Sequence, residues 1–271
     1  MQYSQKIISD NTQLFYVWFS AMFTRVDMIF YTDASRTDLK DIAQQISDQI
    51  TRIEAFANRF DEKSELSRLN ANGYKNEVPV TEELFRIFTA CQEYNKQTFG
   101  YFDITVNSLN GFRGAAAAIL LNAEKQTIRF LHPDVLIDLS GFIKGYALRT
   151  VRQKLQVENI ENALINLGNS SVLAMGNHPF GKGWKVSHPE TDTNSGCVLF
   201  HECLTTSGNK ASTTWPVLNP LSGKVVEAKK SVSVITKDPA VGEVLSTALY
   251  VAESEEKALI LSKFNARELV W

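Results

Sequence analysis

The strongest constraint in the chain is a run of isoleucines. Between Leu39 and Phe60, the residues Ile42, Ile46, Ile50, Ile53 and Phe56 recur every three or four positions with polar residues between them. That spacing puts all five side chains on one face of an α-helix of about five turns. Such a stripe has to be buried against another layer. Thr81 to Asn95 repeats the pattern with Leu84, Ile87, Phe88 and Cys91, and Thr81 is placed to cap its start, with Glu82 and Glu83 in the first turn. Lys144 to Leu155 and Val241 to Val251 give two further helices, and Ser254 to Phe264 continues in a helical pattern. The layer they pack on is expected from Arg25–Thr32, Val135–Leu139, Ala163–Leu167, Val172–Met175, Trp184–Val186, Val198–Thr206 and Val232–Thr236, which read as strands. No regular βαβ alternation links these elements, so the fold class is α+β, a mixed sheet with packed helices in a single compact unit.

Composition narrows function by exclusion. Lys plus Arg number 28 against 30 Asp plus Glu, a net charge of -2 without the basic excess a polyanion-binding protein needs, so nucleic acid is not expected as a partner. Cys91, Cys197 and Cys203 are too scattered for a disulfide framework or thiolate site, and His132, His178, His188 and His201 lack zinc-helix spacing. The longest apolar run near the start, Phe15 to Phe19, is shorter than the roughly 7–15 residues of an export signal. No early cysteine is available for lipid attachment, and nothing approaches the ~20 apolar residues of a membrane span. The chain as given is expected to be soluble with no membrane segment, either cytoplasmic or a trimmed exported protein.

Three segments offer chemistry. In Asp138-Leu-Ser-Gly-Phe-Ile-Lys144-Gly-Tyr146 an apolar strand ends in an acid, a glycine turn follows, and a lysine opens a helix. Backbone amides and an ammonium at such a junction suit a phosphate; the same residues serve equally as a strand–turn–helix joint with Asp138 as a cap. Thr205-Thr206-Ser207-Gly208-Asn209 could contact phosphate or ribose, or simply form a turn. Glu243 and Thr247, four apart, share a helix face. Their oxygens match Mg²⁺, which takes one or two carboxylates and leaves room for water and phosphate; the alternative is a solvated first-turn glutamate.

Taken together and in order, these segments resemble the ApbE family of FAD:protein FMN transferases. The landmarks are Phe60-Asp-Glu-Lys-Ser-Glu-Leu-Ser-Arg-Leu-Asn70, Gly100-Tyr-Phe-Asp-Ile-Thr105, the Asp138–Tyr146 segment, Asn166-Leu-Gly168, Thr206-Ser-Gly208, Asn219-Pro-Leu-Ser-Gly223 and Leu245-Ser-Thr-Ala248. The resemblance runs from about Ala21 to Trp271, leaving residues 1–20 as an N-terminal segment and 21–271 as one flavin transferase domain. It implies FAD and Mg²⁺ as cofactors, and transfer of FMN to a threonine of an acceptor protein. It further implies that Met22, Phe60, Tyr101, Phe102, Asp103, Asp138, Lys144, Ser207, Gly208 and Val217 contact the flavin nucleotide. Asp138 and Lys144 are the candidate catalytic groups, and Gly141 (through its carbonyl), Glu243 and Thr247 the metal ligands.

Several positions depart from the family pattern. Glu243 stands where the family usually has Asp, Asn219 replaces Asp, Asn169-Ser170 replaces Gly-Asp, and Phe23 stands where glycine follows the methionine. Pro216 takes the place of a histidine that would activate the incoming threonine, a change that removes general-base help worth about 10²–10⁴-fold. The alternatives to transfer are a flavin-binding relative that has lost it and a Mg²⁺-dependent FAD pyrophosphatase.

Overall fold

A computed structural model describes residues 1–187, 196–208, 217–226 and 231–269. The chain opens with three long strands, β1 (Gln2–Ser9), β2 (Thr12–Ala21) and β3 (Thr24–Asp33). After them come the isoleucine helix α1 (Leu39–Ala57) and the short α2 (Glu65–Asn72). A two-residue β4 (Val78–Pro79), α3 (Glu82–Gln97), β5 (Ile119–Asn122) and β6 (Thr127–Phe130) follow, then α4 (Ile143–Val157). The second half supplies β7 (Asn162–Leu167), β8 (Ser171–Met175), β9 (Trp184–Ser187), β10 (Gly196–Leu199), β11 (Cys203–Ser207) and β12 (Val232–Thr236). It ends in α5 (Pro239–Val251), α6 (Ser254–Leu261) and β13 (Ala266–Leu269).

Eight strands form one antiparallel sheet in the order β1-β2-β3-β7-β8-β11-β12-β13. Its inner face is covered as the isoleucine stripe requires: Ile42, Ile46, Ile50 and Ile53 are buried with Phe15, Val17, Val26, Met28, Ile165 and the α4 residues Leu148 and Val151. A second core lies between α2, α3, α5 and the small sheet β4-β6-β5. The β9–β10 hairpin covers part of the outer face through Trp184 and Leu199. Two glycines set how closely the central helix α5 is held. A side chain at Gly242 would lie 2.4 Å from the Thr205 hydroxyl, and one at Gly145 would lie 2.2 Å from the Pro239 carbonyl oxygen. Both positions therefore exclude a Cβ, and α5 sits tight between β11 and α4.

Residues 1–20 supply β1 and most of β2, which is paired with β3 along its length. The structure corrects several expectations. Val135–Leu139 is extended but not a strand, because its backbone partners come from loops and side chains. The amides of Leu136, Ile137 and Asp138 donate to Ser108 Oγ, Asn70 Oδ1 and the Ile104 carbonyl. Val198–Thr206 is two strands, broken where His201 takes a left-handed φ of 52°. Helix α1 stops at Ala57 and α6 at Leu261, each short of the expected end. Among the described residues no helix is long and apolar enough to cross a membrane.

Candidate functional site

The Phe60–Asn70 segment builds a frame around Asp138. Ser64 caps α2 by accepting from the Ser67 amide at 2.9 Å, and Ser67 Oγ donates to the Arg59 carbonyl at 3.0 Å, fixing the α1–α2 loop. Leu66 and Leu69 are buried. Asn70 brackets Ile137, accepting its amide at 2.9 Å and donating to its carbonyl at 3.0 Å. From the other side the Gly100–Thr105 segment accepts the Asp138 amide at the Ile104 carbonyl, 2.7 Å away. Two motifs far apart in sequence thus hold two successive extended residues, Ile137 and Asp138, in place.

The Asp138 carboxylate is fully engaged. Its Oδ1 accepts from the Ser140 amide at 2.9 Å, and its Oδ2 accepts from Asn107 Nδ2 at 2.7 Å and faces Arg59 Nε at 3.0 Å. The Arg59 guanidinium in turn lies over the Phe60 ring, 4.3 Å from its centroid. Asp138, Arg59, Phe60, Met22 and Lys144 line one cleft of about 140 Å³, with Ser140 also on its wall. Met22 enters it from the β2–β3 turn, held by its amide's bond to Glu54 Oε2 at 2.7 Å.

Lys144, in the first turn of α4, links this cleft to a second cluster. Its Nζ donates to Ser170 Oγ at 2.6 Å, and the neighbouring Ser171 hydroxyl donates to Glu243. Glu243 is 5% exposed, which removes the solvated reading. Burial raises its carboxyl above the usual carboxylate range, while the Lys144 charge and the Ser171 hydroxyl pull the other way. Among the described residues Ser171 is its one hydrogen-bond donor. One turn further along α5, the Thr247 hydroxyl lies 3.4 Å from Ser207 Oγ, and a side chain at Gly141 would lie 3.8 Å from Thr247 Oγ1. Ser207 also meets Ser246 at 2.8 Å. The expected metal-ligand trio, Gly141, Glu243 and Thr247, therefore gathers where the start of α4 meets α5. The Glu243 and Thr247 oxygens there are hard donors, and the buried carboxylate has the Lys144 charge and the Ser171 hydroxyl to offset its own. Among the described residues no group of three or more His, Cys, Asp and Glu side chains could hold a metal.

The other expected contacts are placed differently. Phe102 is buried, its ring 6.2 Å from Phe142, and its amide and carbonyl are bonded to Thr98 and Asn95. Asp103 is buried too, its carboxyl raised by burial and spent on the Thr105 amide and hydroxyl. These two shape the loop from inside. Tyr101 is half-buried, its phenol raised by burial and by Glu256 and Glu253 of and beside α6. Gly208 packs against Ser231. Val217 begins a small hairpin in which Asn219 Oδ1 accepts the Leu221 and Ser222 amides, a role the family's aspartate would perform equally. That hairpin reaches the Gly100 loop, since a side chain at Gly100 would lie 3.1 Å from Leu221. Pro216 and Asn209 lie outside the described residues. Reading the sequence missed Arg59, Asn107 and Ser171; an arginine, an asparagine and a serine in polar segments carry no signal until their partners are brought to them.

The ApbE family profile matches residues 22–270. The FAD:protein FMN transferase of Chlamydia trachomatis serovar D is 25% identical over 264 residues, covering 85% of this chain and 82% of that protein. The FAD:protein FMN transferase of Haemophilus influenzae is 25% identical over 262 residues, covering 82% and 75%. The flavin transferase ApbE from Vibrio cholerae has a TM-score of 0.79 at 17% identity over 96% of this chain and 94% of that one. The ApbE protein from Thermotoga maritima scores 0.78 at 22% identity over 92% and 91%. The structural likeness establishes the fold, the profile spans nearly the whole chain, and this chain belongs to the ApbE family.

Proposed function

We propose that this protein takes FMN from FAD and attaches it to a threonine hydroxyl of an acceptor protein, with Mg²⁺ as cofactor. The observation that supports this reading best is the meeting of two clusters at the start of α4: the cleft of Met22, Phe60, Asp138 and Lys144, and the Glu243 and Thr247 side chains beside the Gly141 backbone. In the reaction, the acceptor hydroxyl oxygen forms a bond to the FMN phosphorus, the bond from that phosphorus to the bridging oxygen breaks, and AMP leaves as the hydroxyl proton is released. Gly141, Glu243 and Thr247 would hold the Mg²⁺, whose charge neutralises phosphate oxygens. Lys144 adds an ammonium beside Ser170 to attract the diphosphate. Asp138 already accepts from Ser140 and Asn107 and faces Arg59, so it orients the cleft. Phe60 and Met22 offer apolar surface to the flavin.

Pro216 supports a second reading, a flavin-binding relative without transfer, because proline has no side chain to take the threonine proton. One experiment separates the two. Incubated with FAD, Mg²⁺ and an acceptor bearing the target threonine, the protein should add the mass of FMN less one water, through a phosphodiester, to the acceptor. An acceptor of unchanged mass with FAD still bound would favour the second reading, and AMP released without acceptor would mark a pyrophosphatase.

A further inference from the structure

The β2–β3 turn has two corner residues, Met22 and Phe23, with left-handed φ of 52° and 57°. Turns of this kind favour Asn and Gly, because a Cβ in that conformation crowds the following carbonyl. Met22 offsets the strain by packing against the inner core and donating its amide to Glu54. Phe23 does neither: it is 83% exposed, with its ring at the rim of the cleft that Phe60, Arg59, Asp138, Ser140 and Lys144 also line. A strained backbone and an apolar ring in water are two costs at one position, and among the described residues nothing offsets them. Phe60 is likewise 59% exposed, and its ring is held by the Arg59 guanidinium that Asp138 anchors. Two exposed phenyl rings thus share a cleft whose other walls combine the apolar Met22, Ala57 and Ile143 with the polar Asp138, Ser140 and Lys144.

We propose that Phe23 is a nucleotide-binding residue that covers a planar ring of the flavin nucleotide in this cleft, a wall added where the family pattern has glycine. The proposal rests on the flavin-nucleotide reading above and deepens it. Stacking against an aromatic side chain is sequence-tolerant for heteroaromatic rings and contributes about a tenfold gain in affinity. It also predicts effects of opposite sign, which a structural role for Phe23 would not produce. In Phe23→Gly the ligand-free protein should melt at the same temperature or higher, since glycine adopts the turn without strain. The same change should weaken FAD binding by about tenfold, with Phe23→Tyr restoring it. Calorimetry with FMN and with ADP as separate probes identifies the ring: loss confined to FMN assigns the isoalloxazine, and loss confined to ADP the adenine. Phe23→Gly binding FAD, FMN and ADP as tightly as the unaltered protein would overturn this inference alone. An unaltered protein that binds none of the three would remove the functional reading with it.

Discussion

The two carboxylates that meet near the start of α4 are built in opposite ways. Asp138 sits in an extended segment pinned by Asn70 and Ile104, and its oxygens are claimed by Ser140, Asn107 and Arg59. Glu243 is buried in α5 with Ser171 as donor and the Lys144 charge beyond it, and burial raises its proton affinity. The first is a finished network whose worth is positional. The second holds a charge that the protein alone leaves poorly offset, the condition that favours a cation or a proton.

Breaking the finished network should therefore have the larger effect. Asp138→Ala would remove the carboxylate that faces the Arg59 guanidinium, whose side chain is 14% exposed, and should lower stability by about 3 kcal/mol in denaturant unfolding. Ile50→Ala, on the buried stripe of α1, should cost about 2–5 kcal/mol by the cavity it leaves, without altering the ratio of FAD affinity with Mg²⁺ to that without. Gly145→Ala should cost about 1–3 kcal/mol, because the new methyl meets the Pro239 carbonyl and the Glu243 side chain and pushes α4 from α5. Unlike Ile50→Ala, it should also weaken metal-assisted binding, and equal effects on both would break the comparison.

Glu243→Gln should have the smallest effect on the ligand-free protein, and in the opposite direction. A carboxyl whose proton affinity is raised by folding favours the folded state at low pH, and that contribution is lost as pH rises from the unfolded value, near 4.5, through the higher folded one. At pH 8 glutamine keeps an acceptor for Ser171 without a buried charge, so the ligand-free variant should melt at or above the unaltered protein. The difference should shrink as pH falls toward 4.5. A variant that melts well below the unaltered protein at pH 8 would mean that the Glu243 charge is already compensated.

What could be read in the sequence follows from where the partners lie. The face of α1 was legible because a period of three to four is local. So was the Thr81 cap, which accepts the Leu84 amide as its spacing requires. Strand β2 was missed because both of its faces are apolar: Phe15, Val17 and Phe19 point to the helices, while Leu14, Tyr16 and Trp18 alternate on the other side, so no period-two signal stands out. The two-residue β4 is too short to read, and Val135–Leu139 has strand composition but spends its amides on Ser108, Asn70 and Ile104. At the site, Asp138, Lys144, Glu243 and Thr247 were named from the motif order, and the structure groups them around the start of α4. Arg59 could not be found, because its meaning depends on Asp138, far along the chain.

The most direct test of the contrast between the two carboxylates is a calorimetric titration of FAD at pH 8 with and without Mg²⁺, in the unaltered protein and in Glu243→Ala. The account predicts that Mg²⁺ tightens binding to the unaltered protein and that Glu243→Ala keeps only the weaker, metal-independent binding through the Phe60 cleft. Equal FAD affinity with and without Mg²⁺ in the unaltered protein, or a Mg²⁺ effect that survives Glu243→Ala, would contradict it.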